Sequence, residues 1–279
     1  MFLEPISTEV VYQISKENDR KFLQDHFKVF YISLSESQCS PGAVFEEIEG
    51  IICRCFSGIK TPYHNIILGC PKSDNLDACI EEQLRYFKEV NVPFSWYLDE
   101  DSSLEFEQRL RDYGFQDAGV FQGGLSLLDK NYPDFEIAYD CELKLVEDDA
   151  DMKEFNDLVC SIFGIEGESR DLHKIFLWNA TKDLQHPMYH WIAKKQGKVV
   201  SALSSLVEGD IVSFWNGASL VEARRQGFCS ALGSVALKSA ISKGCTVGVS
   251  YLTSEGMAFG ICTQFGFQSK WRFRVFLMQ

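Results

Sequence analysis

A β-rich segment that hands over to a helix through a glycine turn flanked by arginines constrains this chain more than any other feature. Ser213-Phe214-Trp215-Asn216-Gly217-Ala218-Ser219-Leu220 reads as a strand, Val221-Glu222-Ala223 leads out of it, and Arg224-Arg225-Gln226-Gly227-Phe228-Cys229-Ser230 follows. Beyond the turn, Phe228, Ala231, Leu232, Val235, Ala236 and Ala240 recur at helical spacing, and Lys243-Gly244 supplies a cationic last turn and a stop. The first amides of a helix lack internal partners and, with the helix dipole, favour an anion placed before them. Gly227 lets a phosphate come close. Charge-assisted hydrogen bonds, about 1.5 to 3 kcal/mol each, can hold a pyrophosphate there without a metal ion.

The rest of the second half surrounds this turn with alternating elements. A strand at 142–146 precedes helical stretches at Asp149–Phe163 and 169–179, and strands at 189–193 and 198–207 flank the Gln196-Gly197 turn. Glu208-Gly209-Asp210 reverses the chain into a strand at Ile211–Ser219. A helix at 225–243, a strand at 245–252, a short helix at 255–265 and a terminal strand complete an α+β layout around a central sheet.

Two helical patterns end alike, on Tyr113-Gly114-Phe115-Gln116 and on Phe265-Gly266-Phe267-Gln268. Each predicts a helix closed by a left-handed glycine and followed at once by a strand that starts on a core aromatic. The elements before Gly114, a helix at 75–88, a strand at 94–98 and a short helix at 104–113, repeat the order found before Gly266, which points to a distant internal repeat. The polar stretch Asp129-Lys130-Asn131-Tyr132-Pro133-Asp134 separates the two patterns and places a boundary near Asp134.

Composition removes several classes of function. A net charge of −13 repels a phosphate backbone, so nucleic acid is not the expected partner, whereas a cationic amine would be attracted. No run approaches the ~18 apolar residues of a membrane span, and the first eleven residues hold Glu4 and Glu9 but no basic residue. The ten cysteines are scattered, with only Cys53 and Cys55 close together, so neither a disulfide framework nor a zinc pair is expected. A soluble, unsecreted, cytoplasmic protein is the expectation. The phosphate-loop pattern of nucleotide hydrolases and the G-x-G-x-x-G pattern of dinucleotide binders are both missing.

The segment from Gly217 to Leu232 resembles the acetyl-CoA-binding motif of the GCN5-related N-acetyltransferases (GNAT), [Q/R]-x-x-G-x-[G/A], after a strand and at the head of a long helix. Arg224 fills its first position and Gly227 its glycine, Cys229 stands where Gly or Ala is usual, and Val221-Glu222 replaces a common Pro-Glu. The likeness covers about residues 138 to 279. It implies acetyl-CoA as cosubstrate, no metal, and an amine acceptor that the sequence does not identify. It further implies that backbone groups of Ala218, Ser219 and Leu220 pair with the pantetheine arm as an added strand would. Amides of Arg225, Gln226, Gly227, Phe228, Cys229 and Ser230 would then cradle the pyrophosphate.

The first half resembles the amino-terminal part of two-part acetyltransferases, through its Pro93-Phe94-Ser95-Trp96 strand and Gly114-Phe115 turn, yet no R-x-x-G-x-G/A precedes Asn131. The resemblance therefore implies two GNAT-like domains, each a mixed, mostly antiparallel sheet flanked by helices. Residues 1–133 would be a degenerate copy that supports its neighbour or shapes the acceptor groove, and 134–279 the active copy.

The family transfers acetyl directly within a ternary complex, and many members use a Tyr four residues before the glycine of Gly-Phe to protonate the departing thiolate. Here that position holds Cys262, and Tyr251 on the preceding strand is a substitute; each also reads as a packing residue. His190 reads as a hydrogen-bonded surface residue and Glu208 as a turn residue. Without an evident base, a non-catalytic CoA-binding sensor or interaction protein stays open, as does a donor with a longer acyl chain.

Overall fold

Both Gly-Phe endings close a helix in the same way. Gly114 and Gly266 lie in the left-handed region, with φ of 91° and 79°. Each glycine N–H bonds the carbonyl three residues back, Arg111 at 2.9 Å and Thr263 at 3.0 Å. Each following Phe N–H reaches five residues back, to Leu110 at 3.0 Å and Cys262 at 3.1 Å. Phe115 and Phe267 are then buried as the first core residues of the strands they open.

These details come from a computed structural model, which describes residues 16–37, 39–48, 53–71, 75–128, 132, 135, 140–253 and 257–279. The first half runs α1 (Lys16–Glu36), β1 (Val44–Glu46), β2 (Cys53–Phe56), β3 (Ile66–Leu68), α2 (Leu76–Glu89), β4 (Phe94–Asp99), α3 (Leu104–Asp112) and β5 (Gln116–Leu127). The second runs β6 (Cys141–Leu145), α4 (Asp149–Phe163), α5 (Glu168–Ala180), β7 (Met188–Lys195), β8 (Lys198–Glu208), β9 (Ile211–Ser219), α6 (Phe228–Ser242), β10 (Val247–Thr253), α7 (Met257–Gln264) and β11 (Gln268–Met278). The expected boundary near Asp134 lies outside the described residues.

Instead of a separate sheet in each half, the described strands form a single eleven-stranded sheet in the order β1-β2-β3-β4-β11-β5-β10-β9-β8-β7-β6. The physical reason is an exchange of the strands that the Gly-Phe endings start. β11 leaves the second half to lie antiparallel between β4 and β5, while β5 leaves the first to lie antiparallel between β11 and β10. Outside this exchange the two halves match, since β3 runs parallel to β4 and β9 parallel to β10. The remaining described pairs are antiparallel.

Helices cover the sheet through distinct apolar clusters. α1, α4 and α5 share the largest, which includes Phe27, Phe155 and Phe176, while α2 and α3 pack around Phe87, Phe106 and Trp96. α6 buries Phe228, Leu232 and Ala236 against Trp191 and Leu203. In α1, Leu23, Phe27, Phe30 and Leu34, all buried, recur at helical spacing and turn one face of the helix to the core. α6 starts at Phe228 rather than 225 because Arg225 (φ 62°) and Gly227 (φ 85°) take left-handed conformations that a right-handed helical turn excludes. The ten cysteines are all unpaired.

Candidate functional site

The site begins where two parallel strands separate. β9 pairs with β10 from Ile211 opposite Val247 to Phe214 opposite Ser250, and the pairing ends there although β9 continues to Ser219. Its other edge stays on β8 as far as Ser201 opposite Ser219. That pairing is interrupted by a bulge in which Asn216 and Gly217 together face Leu203, with Asn216 at φ 53°. The Asn216 Nδ2–H donates to Ser204 Oγ at 3.1 Å, the Ser204 hydroxyl bonds His190 Nδ1 at 2.8 Å, and His190 Nε2–H donates to Leu177 O at 3.1 Å. His190 is thus a buried anchor of the bulge and not the surface residue expected; burial pushes its imidazole down to about 4.

The turn after β9 leaves backbone donors facing outward. The first helical bond of α6 runs from Ala231 N–H to Gly227 O at 2.9 Å, so the N–H groups of Phe228, Cys229 and Ser230 precede the ladder. Gly227 is the helix cap and has no side chain to occupy them. Arg224 and Arg225 are exposed, and among the described residues neither guanidinium has an ion-pair partner. Gln226 braces the turn instead, its Oε1 accepting from Lys195 Nζ at 2.7 Å and its Nε2 donating to Glu222 O at 2.7 Å.

One cavity of about 1100 Å³ joins the parted strand edge to this turn. Ala218, Ser219, Arg224, Arg225, Gly227, Phe228, Cys229 and Ser230 line it, whereas Leu220 and Gln226 stand outside the lining. Residues of α6 and α7 on one side and α1 residues on the other both reach it, so it passes through the opening beyond Phe214 and Ser250. Arg224 and Arg225 are the charged residues of the lining; among the described residues no carboxylate contributes. Glu208, at its turn, instead bonds His26 Nδ1 at 2.7 Å.

Both proton-donor candidates line the cavity. Burial raises the Cys262 thiol above its ordinary value, so it stays protonated at neutral pH. Burial likewise pushes the neighbouring Cys229 thiol up to about 11. Tyr251 donates its hydroxyl to Leu23 O at 2.9 Å, with its ring held against Phe27 and Trp215. Its proton is already engaged.

Three histidines are buried together. His64 and His173 meet edge to face at 5.2 Å, and burial pushes His64 down to about 4 and lowers His173 as it does His190. Their folded values lie below the ~6.5 of an unfolded chain, so the unfolded chain binds protons first as pH falls. Stability is full above about pH 6.5 and is lost toward about 4, by about 3 kcal/mol each for His64 and His190. The urea midpoint is expected to drop steeply between pH 6.5 and 4.5; a flat midpoint across that window would contradict the neutral cluster.

No protein-family model matches the chain, and no curated protein matches it in sequence. Solved structures do match. A GCN5-related N-acetyltransferase from Kribbella flavida superposes with a TM-score of 0.59 over 88% of this chain and 93% of its own, at 11% identity. The chain has the GNAT fold. A conserved protein of unknown function from Staphylococcus epidermidis matches with a TM-score of 0.60, covering 85% of this chain and 94% of its own at 12% identity. A tandem GNAT protein from the clavulanic acid biosynthesis pathway gives 0.54 over 81% and 77%, at 9% identity. The arginine-glycine turn that resembled the GNAT motif therefore sits in a chain that follows that fold over most of its length. No helix among the described residues is long and apolar enough to cross a membrane.

Two parts of the site escaped the motif. The bulge at Asn216 has an Asn-Gly pair as its only local mark. Part of the aromatic lining of the cavity comes from the first half, from Phe27, Phe30, Tyr31, His64 and Tyr97, far from the turn in sequence.

Proposed function

We propose that this protein is an N-acetyltransferase that holds acetyl-CoA on the Arg224–Ser230 turn and passes the acetyl group to an amine in a ternary complex. The observation that carries this reading is the uncapped start of α6 behind Gly227, opening into the same cavity as the parted edge of β9. The helix start and the two exposed arginines suit a pyrophosphate, and the unpaired β9 edge suits an extended arm that bonds as a strand. No metal is needed for either. The strand exchange supports residues 1–133 as a degenerate copy beside an active 134–279 copy, and the unpaired cysteines suit a reducing cytoplasm.

An alkyl ammonium of pKa ~10.4 must first lose a proton, at a cost of about 4 to 5 kcal/mol at neutral pH. With no carboxylate in the described lining, water carries that proton away. The amine nitrogen then attacks the thioester carbon, the carbon–sulfur bond breaks, and the nitrogen gives up its second proton to water to leave a neutral amide. Cys262 supplies a proton to the departing sulfur and recovers one from solvent; its thiol is kept protonated by burial at the cavity lining, whereas the Tyr251 hydroxyl is engaged with Leu23 O.

Release of free CoA thiol, measured with polyamines, amino acids, aminoglycosides and peptides, tests the activity. Cys262→Ala is expected to lower kcat at least tenfold with the acetyl-CoA KM within about twofold, and Tyr251→Phe to change kcat less than about threefold. An unaltered rate in Cys262→Ala removes its role as donor. A second reading, a non-catalytic CoA-binding sensor or interaction protein, is favoured by the engaged Tyr251 hydroxyl and the carboxylate-free lining. Binding without turnover across the panel supports it. Competition between acyl-CoAs of different length identifies the donor.

A further inference from the structure

Two helices end side by side, and side chains that ligate metals gather there. Asn179, in the last turn of α5, donates its Nδ2–H at 2.9 Å to the carbonyl of Ser37, just past α1. Glu36 is the last residue of α1, and Asp183 and His186 lie in the turn between α5 and β7. Glu36, Asp183 and His186 each offer one ligand atom within 4.8 Å of the others, and none of the three lines the cavity.

The negative charge there is uncompensated. A helix C-terminus is the negative end of its dipole and favours a basic residue, yet neither α1 nor α5 has one in its last turn. Among the described residues no Lys or Arg pairs with Glu36 or Asp183; Lys182, next to Asp183 in sequence, stands over the Trp178 ring at 5.1 Å instead. His186 faces Asp183 without bonding it: its Nδ1 is buried, has no hydrogen-bond partner and lies 3.7 Å from Asp183 Oδ2. That gap is too long for a hydrogen bond and close to the ~3.4 Å between two ligand atoms that each stand about 2.1 Å from a tetrahedral ion. The turn holds Asp183 in place, because Oδ1 accepts from the N–H groups of Gln185 and His186 at 2.8 and 3.0 Å and Oδ2 is left to face the ring. Across the ring, Nε2 lies 4.0 Å from Glu208 Oε1, a carboxylate that favours the proton on Nε2 and so leaves the Nδ1 lone pair bare for a metal.

We infer that Glu36, Asp183 and His186 form a binding site for a first-row divalent cation, Zn²⁺ foremost, with solvent completing a tetrahedron. One imidazole and two carboxylates suit zinc, whereas a set of oxygen ligands alone would suit magnesium or calcium. Glu36 belongs to the first half of the chain and Asp183 and His186 to the second, so the ion ties the end of α1 to the entrance of β7. Its role is structural. α1 carries Phe27, Phe30 and Tyr31 to the cavity, and the ion fixes the helix that holds them. The ion takes no part in acyl transfer, and its binding does not depend on that activity.

Calorimetry with zinc chloride at pH 7, on the full chain freed of metal by a chelator, tests the site. The expected result is one equivalent bound with a Kd of about 10 µM or tighter. The melting temperature should rise by roughly 3 to 6 °C at a hundredfold excess over Kd. His186→Ala, Glu36→Gln and Asp183→Asn should each weaken binding at least about tenfold, while melting within about 2 °C of the unaltered chain when no metal is present. Asp183→Asn keeps an oxygen for the two turn bonds, so it separates lost ligation from a lost turn. Co²⁺ distinguishes the site from the ten free thiols, since its spectrum should lack a thiolate charge-transfer band. No saturable binding at submillimolar Zn²⁺ overturns the inference. So does an affinity within about twofold of the unaltered chain in His186→Ala or Glu36→Gln, or a thiolate band with the first equivalent of Co²⁺.

Discussion

Gly227→Glu is expected to abolish acetyl-CoA binding, with a loss of roughly 100-fold to 10,000-fold in affinity. A Cβ at Gly227 meets no atom within 4 Å, so packing is not the cause. The new carboxylate stands before the unpaired amides of Phe228, Cys229 and Ser230, where it competes with the pyrophosphate and repels it. Displacing two charge-assisted bonds of about 1.5 to 3 kcal/mol each accounts for the range. Gly227→Ala separates this from backbone strain: at φ 85° an L side chain costs about 1 to 2 kcal/mol, so about a tenfold loss is expected. Equal affinities for Gly227→Glu and Gly227→Ala would show that charge at the turn is irrelevant. Calorimetry on both variants, with thermal unfolding as a control, makes the comparison.

Trp271→Ala is expected to produce the largest loss of stability, because Trp271 fills the seam where the halves exchange strands. It stands on β11 opposite Gly123 of β5, is 2% exposed, donates its Nε1–H to Asp99 and packs on Phe27 and Phe273 at 5.7 and 4.3 Å. Gly123 leaves room for it, since a Cβ there would lie 3.1 Å from the indole. Removing a buried Trp costs about 3 to 5 kcal/mol, and the melting temperature should fall by roughly 5 to 15 °C. Asp99 keeps Gln24 and Arg20 as partners, so the loss comes mainly from the cavity left behind. A shift under about 2 °C would mean that the seam contributes little.

The elements of the second half and the Gly-Phe endings were legible because their signals are local. A left-handed glycine, a hydrophobic period and a following aromatic act within a few residues, and the same bonds recur at Gly114 and Gly266. The exchange of β5 and β11 was not legible, since periodicity tells which face of a strand is buried and not which strand lies beside it. The start of α6 was misplaced by three residues because Arg225, a residue that ordinarily favours helix, is held at φ 62°. The turn itself was readable from Arg224 and Gly227. The aromatic part of the cavity lining was not, because Phe30 and Trp215 come together only through the packing of α1 on the shared sheet.

The cradle at the head of α6 is the centre of this account, and a crystal structure with acetyl-CoA bound tests it most directly. The expected result is pyrophosphate density on the amides of Phe228, Cys229 and Ser230, with the pantetheine arm along the edge of β9 beyond Phe214. Acetyl-CoA bound elsewhere on the protein, or crystals without it at saturating concentration, would contradict the account.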